Sequence, residues 1–350
     1  MKKIFFSIVA LAALAACSKT EVAYEAPAEI GFAPVKGNIT KAEGLYGDLD
    51  PNQELGVWAF WDKDGVVEGP TETTTDGNTI TTPITYNKYN ESYLANALFV
   101  NGDEDGTSWG APENKSYPWP VNGSLVFAGY TTPGDDVLTT GTADGNVQYD
   151  FTNDVMTFTN YQNTTEFDLC WFGRTDESYN NRTTGTAVSV DLNHALTWVT
   201  IAAYAQNAAI GWKITSMTLN NYNVAGTATC NGSTKKATWN TVTLNQSPLS
   251  IGTTGDGGTL PHTLEAATGS KGVELSDNVL IPSNEVKLTV NFSFLVNGVE
   301  KTDSKTFTLN TTTTWESGVH YTYTLVFNSN EILLTPSYEE WTPGGNDITV

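Results

Sequence analysis

Glu285-Val286-Lys287-Leu288-Thr289-Val290-Asn291-Phe292-Ser293-Phe294 alternates polar and apolar residues without a break. Successive side chains of an extended strand point to opposite faces. This stretch therefore places Val286, Leu288, Val290, Phe292 and Phe294 on one face and Glu285, Lys287, Thr289, Asn291 and Ser293 on the other. One face is buried and one is wet. Val319, Tyr321, Tyr323, Leu325 and Phe327 repeat the pattern against His320, Thr322 and Thr324, and Ala187–Leu192 repeats it over a shorter span.

Working outward, Leu55–Trp61 is rich in β-formers and ends at the turn residues Asp62-Lys63-Asp64-Gly65. Ser124–Tyr130 stops at a Thr-Thr-Pro-Gly-Asp-Asp turn, and Val155–Tyr161 and Phe167–Phe172 follow. Residues 69–82 read as a long surface loop, and Tyr93–Phe99 as one or two helical turns. Sustained helical periodicity is otherwise scarce. Short strands punctuated by Gly, Asn, Thr and Pro point to an all-β fold of antiparallel β-sandwiches. The polar run Asn180-Asn181-Arg182-Thr183-Thr184-Gly185 divides the chain into an N-terminal sandwich over 42–185 and a C-terminal one over 186–350.

The chain has 350 residues, 39% hydrophobic, with 10 Trp, 15 Tyr and 14 Phe, so a sizeable core can be built. Its formal net charge of −22 repels phosphate backbones, which excludes nucleic acid as a partner. The same charge argues against docking on anionic lipid through a basic patch. Three cysteines are present, and Cys170 and Cys230 either pair or serve as small buried apolar residues.

No motif assembles a catalytic centre. His194, His262 and His320 are far apart and share no metal-binding spacing, so no metal or cofactor is expected. Asp103-Glu104-Asp105-Gly106 clusters carboxylates but lacks the calcium-loop spacing. Ser233-Thr234-Lys235-Lys236 and Ser276-Asp277-Asn278 match fragments of the serine β-lactamase signature, yet no K-T-G follows and Ser233 sits in a turn. Trp109, Tyr117 and Trp119 offer aromatic rings that stack on sugars if exposed, or that pack at a domain edge if not.

Lys2 and Lys3 precede an apolar run, Ile4–Ala16, too short to span a bilayer, for which about 20 residues are needed. The run ends in Leu14-Ala15-Ala16-Cys17-Ser18, which resembles a bacterial lipobox. That resemblance implies removal of a signal peptide over 1–16 and lipidation of Cys17.

Six stretches taken in order resemble the fimbrillin family. They are Tyr117–Pro120 with Leu125–Tyr130, Glu166–Trp171, Val190–Leu196, Lys213–Leu219, Asn278–Pro282 and Trp315–Tyr323. The resemblance implies two tandem transthyretin-like antiparallel β-sandwich domains. It implies a non-enzymatic structural subunit of a cell-surface pilus serving adhesion, exported to the outer membrane as a lipoprotein. Its partners would be other fimbrillin subunits, the lipid anchor at Cys17 and a host or bacterial surface ligand.

In that family a trypsin-like protease removes a short N-terminal segment, and the opened groove receives a strand from the next subunit. Thr40-Lys41-Ala42 stands where the family has Thr-Arg-Ala, which places processing between Lys41 and Ala42 and argues against an arginine-only protease. Residues 17–41 would be the removed segment, with Ile30 and Phe32 as its plug strand. Ile332, Leu334 and Tyr338, which share one parity in Glu331–Trp341, are donor-strand candidates. That segment otherwise closes its own domain, with Thr342–Val350 donating instead. The alternative function is a monomeric outer-membrane surface lipoprotein that binds glycans.

Overall fold

The computed structural model of the protein describes residues 28–34, 53–63, 71–75, 78–82, 89, 91–101, 108–133, 146–163, 167–175, 186–252, 259–266, 272–310, 314–329 and 331–341. These form strands joined by turns, with one 3-10 turn at Ala208–Ile210 and no α-helix among the described residues. In chain order the first twelve strands are β1 (Phe32–Pro34), β2 (Gln53–Asp62), β3 (Thr71–Thr75), β4 (Asn78–Thr82), β5 (Glu91–Asn101), β6 (Trp109–Gly110), β7 (Ser124–Pro133), β8 (Asn146–Asp150), β9 (Val155–Gln162), β10 (Cys170–Phe172), β11 (Val188–Val190) and β12 (Asn193–His194). They are followed by β13 (Thr197–Ala205), β14 (Lys213–Asn220), β15 (Asn223–Asn231), β16 (Lys236–Leu244), β17 (Leu249–Ile251), β18 (His262–Thr263), β19 (Val273–Leu280), β20 (Lys287–Val296), β21 (Val299–Thr308), β22 (Val319–Phe327) and β23 (Ile332–Glu340).

The alternating stretch that opens the sequence reading is β20. Val286, Leu288, Val290 and Phe292 are buried in one cluster, and Phe294 packs at its edge. An Asn297-Gly298 loop joins β20 to β21, and both residues have positive φ (52° and 77°). That backbone twist matches the twist of the flanking strands, which is why Asn-Gly closes tight hairpins. β20 lies in a five-stranded sheet, β17-β14-β20-β21 with β18 beside β14. The sheet faces a second one, β19-β13-β22-β23, in which β13 and β22 run parallel. Between them Ile201, Ile214, Leu288, Trp315, Tyr323 and Leu325 form the C-terminal core.

The N-terminal half is built on an eight-stranded sheet of order β11-β1-β6-β5-β2-β7-β10-β12. It folds over on itself at β5, because Phe32 of β1 meets Phe127 of β7 edge-on at 5.1 Å although three strands lie between them in the sheet. The pairing of β2 with β5 shifts register at Val57/Ala59 and again at Ala59/Phe60, and Asn96 of β5 has a φ of 51°. Such bulges bend a strand and increase its twist. β5 contains the Tyr93–Phe99 stretch expected to be helical. Its apolar residues are drawn into the ladder with β2, and tertiary pairing overrides a short local propensity.

Residues 71–75 and 78–82 pair as the antiparallel strands β3 and β4, where an unpaired loop is expected from the sequence. Strand pairing also crosses the divide expected at 186. β11 pairs in parallel with β1, β12 pairs with β10, and β15 pairs with β9. The resulting sheet, β16-β15-β9-β8, covers the outer face of β2, β7 and β10 through a third cluster that includes Trp58, Tyr130, Phe158, Trp171, Ala228 and Cys230. Cys170 and Cys230 are both buried free thiols.

Candidate functional site

β1 is a short insert with strong anchors. Ile30 and Phe32 are fully buried. Phe32 packs edge-on against Phe99 at 4.8 Å and Phe127 at 5.1 Å, geometries that the ring quadrupole favours. The backbone is tied on both sides: Ile30 N–H donates to Tyr117 O at 2.8 Å, and Val188 N–H donates to Gly31 O at 2.7 Å. Trp119 N–H donates to Ala28 O at 2.9 Å, and the Glu29 carboxylate accepts from Ser116 Oγ and Tyr117 N, both at 2.6 Å. The N-terminal segment therefore fills a slot between β6 and β11.

Two of the aromatics read as possible sugar platforms line this slot. Trp109 and Trp119 are each only 1% exposed, and Trp119 meets Phe127 edge-on. Their faces are spent on the core, so they are not available to a glycan. Cys17, Lys41 and Ala42 lie outside the described residues, as do Asp103–Asp105 and Thr342–Val350.

At the other end of the chain, β23 is an edge strand paired antiparallel with β22 from Ile332 opposite Phe327 to Glu340 opposite Val319. Ile332 is buried, Leu334 is partly buried and Tyr338 is 69% exposed. Pro336 sits opposite Tyr323, and its missing N–H is tolerated because β23 has no partner strand on its outer side among the described residues. Segment 332–340 thus completes the C-terminal sandwich. Leu333, on the outward face, is 43% exposed.

A polar cluster lies where the two halves meet. Register places Cys170 of β10 opposite His194 of β12, with Asp168 two residues before the thiol. His194 Nδ1 is 2.6 Å from Asp168 Oδ2, the Cys170 thiol donates to the same oxygen at 3.2 Å, and Sγ is 3.4 Å from Nδ1. Burial pushes the Cys170 thiol well up, and the negative Asp168 carboxylate adds to the rise. The indole of Trp341 covers the imidazole. One ring nitrogen faces both thiol and carboxylate, whereas a nucleophile–base–carboxylate relay needs them on different nitrogens. The arrangement does not activate Cys170 as a nucleophile. No local spacing announces this trio, because it depends on which strand lies next to β10.

His320 stacks on Trp198 at 3.7 Å, and its Nδ1 is 3.1 Å from Glu339 Oε1 on β23. Ser276 and Asn278 are buried on β19 and bond to each other at 2.7 Å, while Asp277 accepts from Trp198 Nε1 at 3.2 Å and from Thr200 Oγ1. Ser233 lies in the turn between β15 and β16. The two signature fragments therefore have structural roles.

A family profile described as fimbrillin-like matches residues 47–341, and one described as a prokaryotic membrane lipoprotein lipid attachment site matches residues 1–18. Among solved structures, a fimbrial protein from Bacteroides vulgatus is similar at 15% identity with a TM-score of 0.50, covering 82% of this chain and 93% of that one. At this identity the likeness is one of fold. A candidate cell adhesion protein from Bacteroides uniformis matches at 16% identity with a TM-score of 0.49, covering 90% and 99%. The fimbrial anchor protein Mfa2 from Porphyromonas gingivalis matches at 11% identity with a TM-score of 0.28, covering 91% and 99%. No curated protein matches by sequence.

Proposed function

The chain belongs to the fimbrillin-like family, and from that premise we propose that it is a non-enzymatic subunit of a cell-surface pilus, joined to its neighbours by donor-strand exchange. The lipid attachment site at its N-terminus supports export as a lipoprotein tethered at Cys17, and we place that tether in the outer membrane. The two sandwiches are read as the tandem transthyretin-like domains of the family, serving adhesion to a host or bacterial surface.

The observation that carries this reading is the seat of β1. A short strand bearing two fully buried side chains is held between β6 and β11 by backbone bonds on both sides. Cleavage between Lys41 and Ala42 would separate it from the rest of the chain. Its departure would leave a slot floored by Phe99, Phe127 and Phe172 and walled by unpaired backbone groups. Such a slot is a liability until another extended strand pairs in it, which is the physics of β-augmentation.

Two segments are candidates for the incoming strand. β23 is an edge strand whose outer half is solvated, and Ile332 and Leu334 are its inward residues. Its release from β22 would present Ile332, Leu334 and Tyr338 to a neighbour. The residues after Trp341 are the other candidate, and they leave β23 in place.

Limited trypsin digestion of the purified chain, with mass spectrometry and an unboiled SDS gel, tests the reading. A cut after Lys41 followed by a ladder of detergent-resistant multimers is expected. An uncut Lys41–Ala42 bond and a monomer under conditions that cleave exposed loops would overturn it.

A further inference from the structure

We propose that Asp168, Cys170 and His194 form a binding site for a zinc-like divalent cation, covered by Trp341. The three side chains come from one strand entry and its neighbour, and their ligand atoms converge within 4.8 Å of one another. They supply one thiolate, one imidazole nitrogen and one carboxylate oxygen. That donor set suits a borderline ion with tetrahedral preference, and the carboxylate argues against copper(I), which favours sulfur and imidazole.

The distances agree with the assignment. Around a tetrahedral zinc with bonds of about 2.0–2.3 Å, ligand atoms lie roughly 3.3–3.7 Å apart. Cys170 Sγ is already 3.2 Å from Asp168 Oδ2 and 3.4 Å from His194 Nδ1. The contact that must open is Nδ1 to Oδ2, now 2.6 Å, where a proton occupies the space between them. On binding, the thiol proton leaves to solvent and the proton between imidazole and carboxylate moves to Nε2 or is released. No bond other than these N–H and S–H bonds breaks. His194 Nε2 is buried and has no hydrogen-bond partner among the described residues, so that nitrogen is open to receive the proton.

The surroundings fit a held ion. Thr131 Oγ1 accepts from the Cys170 backbone N–H at 2.8 Å and donates toward the carbonyls of Asp168 and Cys170. This fixes the loop that presents two of the three ligands, as outer groups do around metal sites. Trp341 lies flat on the imidazole and shields that side from water. Three protein ligands leave one tetrahedral position, which a water or a small exogenous ligand would take.

The test is cobalt(II) titration of the EDTA-stripped full-length chain, followed by zinc displacement. One equivalent of cobalt should bind with the intense near-ultraviolet band of a thiolate–cobalt bond, and zinc should remove it. Cys170→Ser should abolish that band, Asp168→Asn should weaken binding by about 10-fold or more, and Cys230→Ser should leave it intact. X-ray absorption of the zinc-loaded wild-type chain should find one sulfur at about 2.3 Å, which keeps the test independent of whether any variant folds. Absence of stoichiometric binding by the folded chain, a cobalt spectrum without thiolate, or a band that survives Cys170→Ser would overturn the assignment.

Discussion

The Trp341 indole lies on the His194 imidazole with ring centroids 3.6 Å apart and planes 11° from parallel. His194 belongs to β12, in the N-terminal eight-stranded sheet, and Trp341 is the first residue after β23. The stack therefore ties the end of the last strand to the first half of the molecule. The Trp341 ring also tilts against Trp198 at 5.6 Å, and the backbone N–H of Trp341 donates to Gly318 O at 2.8 Å.

Trp341→Ala should loosen β23 from its C-terminal end. Stacked aromatic pairs contribute about 0.5–1.5 kcal/mol beyond their buried area, so a stability loss of about 1–3 kcal/mol is expected. Amide hydrogen exchange should accelerate across 335–340 more than across β20. Unchanged protection of β23 would show that the stack does not hold the strand.

Phe32→Ala removes a fully buried ring from the slot between β6 and β11. Core Phe→Ala changes cost about 3–5 kcal/mol. The uncleaved chain should lose stability on that scale in urea. A loss below about 1 kcal/mol would mean that β1 is a loosely held appendage.

Gly123→Ala should destabilise the approach to β7. Gly123 has a φ of +76°, and a Cβ there would sit 2.0 Å from the backbone oxygen of Asp62. Neither the left-handed conformation nor the close backbone approach admits a methyl group without movement. We expect a loss of at least about 1–2 kcal/mol in thermal unfolding, and a neutral result would show that the turn relaxes freely.

Alkaline stability should depend on Tyr323. Burial pushes its phenol up to about 12, opposed by the bond from Trp315 Nε1 to its hydroxyl at 2.8 Å. The folded state thus favours the neutral phenol more than the unfolded state does. Its contribution is complete below the ordinary value of about 10 and is lost as pH rises from there toward about 12. Stability measured over that window should fall less steeply in Tyr323→Phe than in the wild type. Equal slopes would place the alkaline loss on other tyrosines. The substitution also leaves the buried Trp315 N–H without its acceptor, so the variant should be less stable at neutral pH by about 1–3 kcal/mol.

The fold class was legible because burial on one face writes a period-two code, and Val286–Phe294 and Val319–Phe327 carry it cleanly. The lipid site was legible because export signals are linear. Tyr93–Phe99 reads locally as helix yet forms strand, because seven residues carry too little periodicity to outweigh the β2 ladder they join. The pairing of β3 with β4 is not legible because these threonine-rich strands lack an apolar alternation.

The sequence by itself determined that this is an exported, strand-built chain of the fimbrillin type, because those properties reside in local patterns and ordered motifs. Only the tertiary structure decided that Trp109 and Trp119 are core rather than surface, and that Ile30 and Phe32 fill a slot beside β11. It alone also brought Asp168, Cys170, His194 and Trp341 into one cluster. Such relations depend on which strands become neighbours and in what register. Long-range pairing fixes both, through backbone hydrogen bonds and shared apolar burial summed over the whole chain.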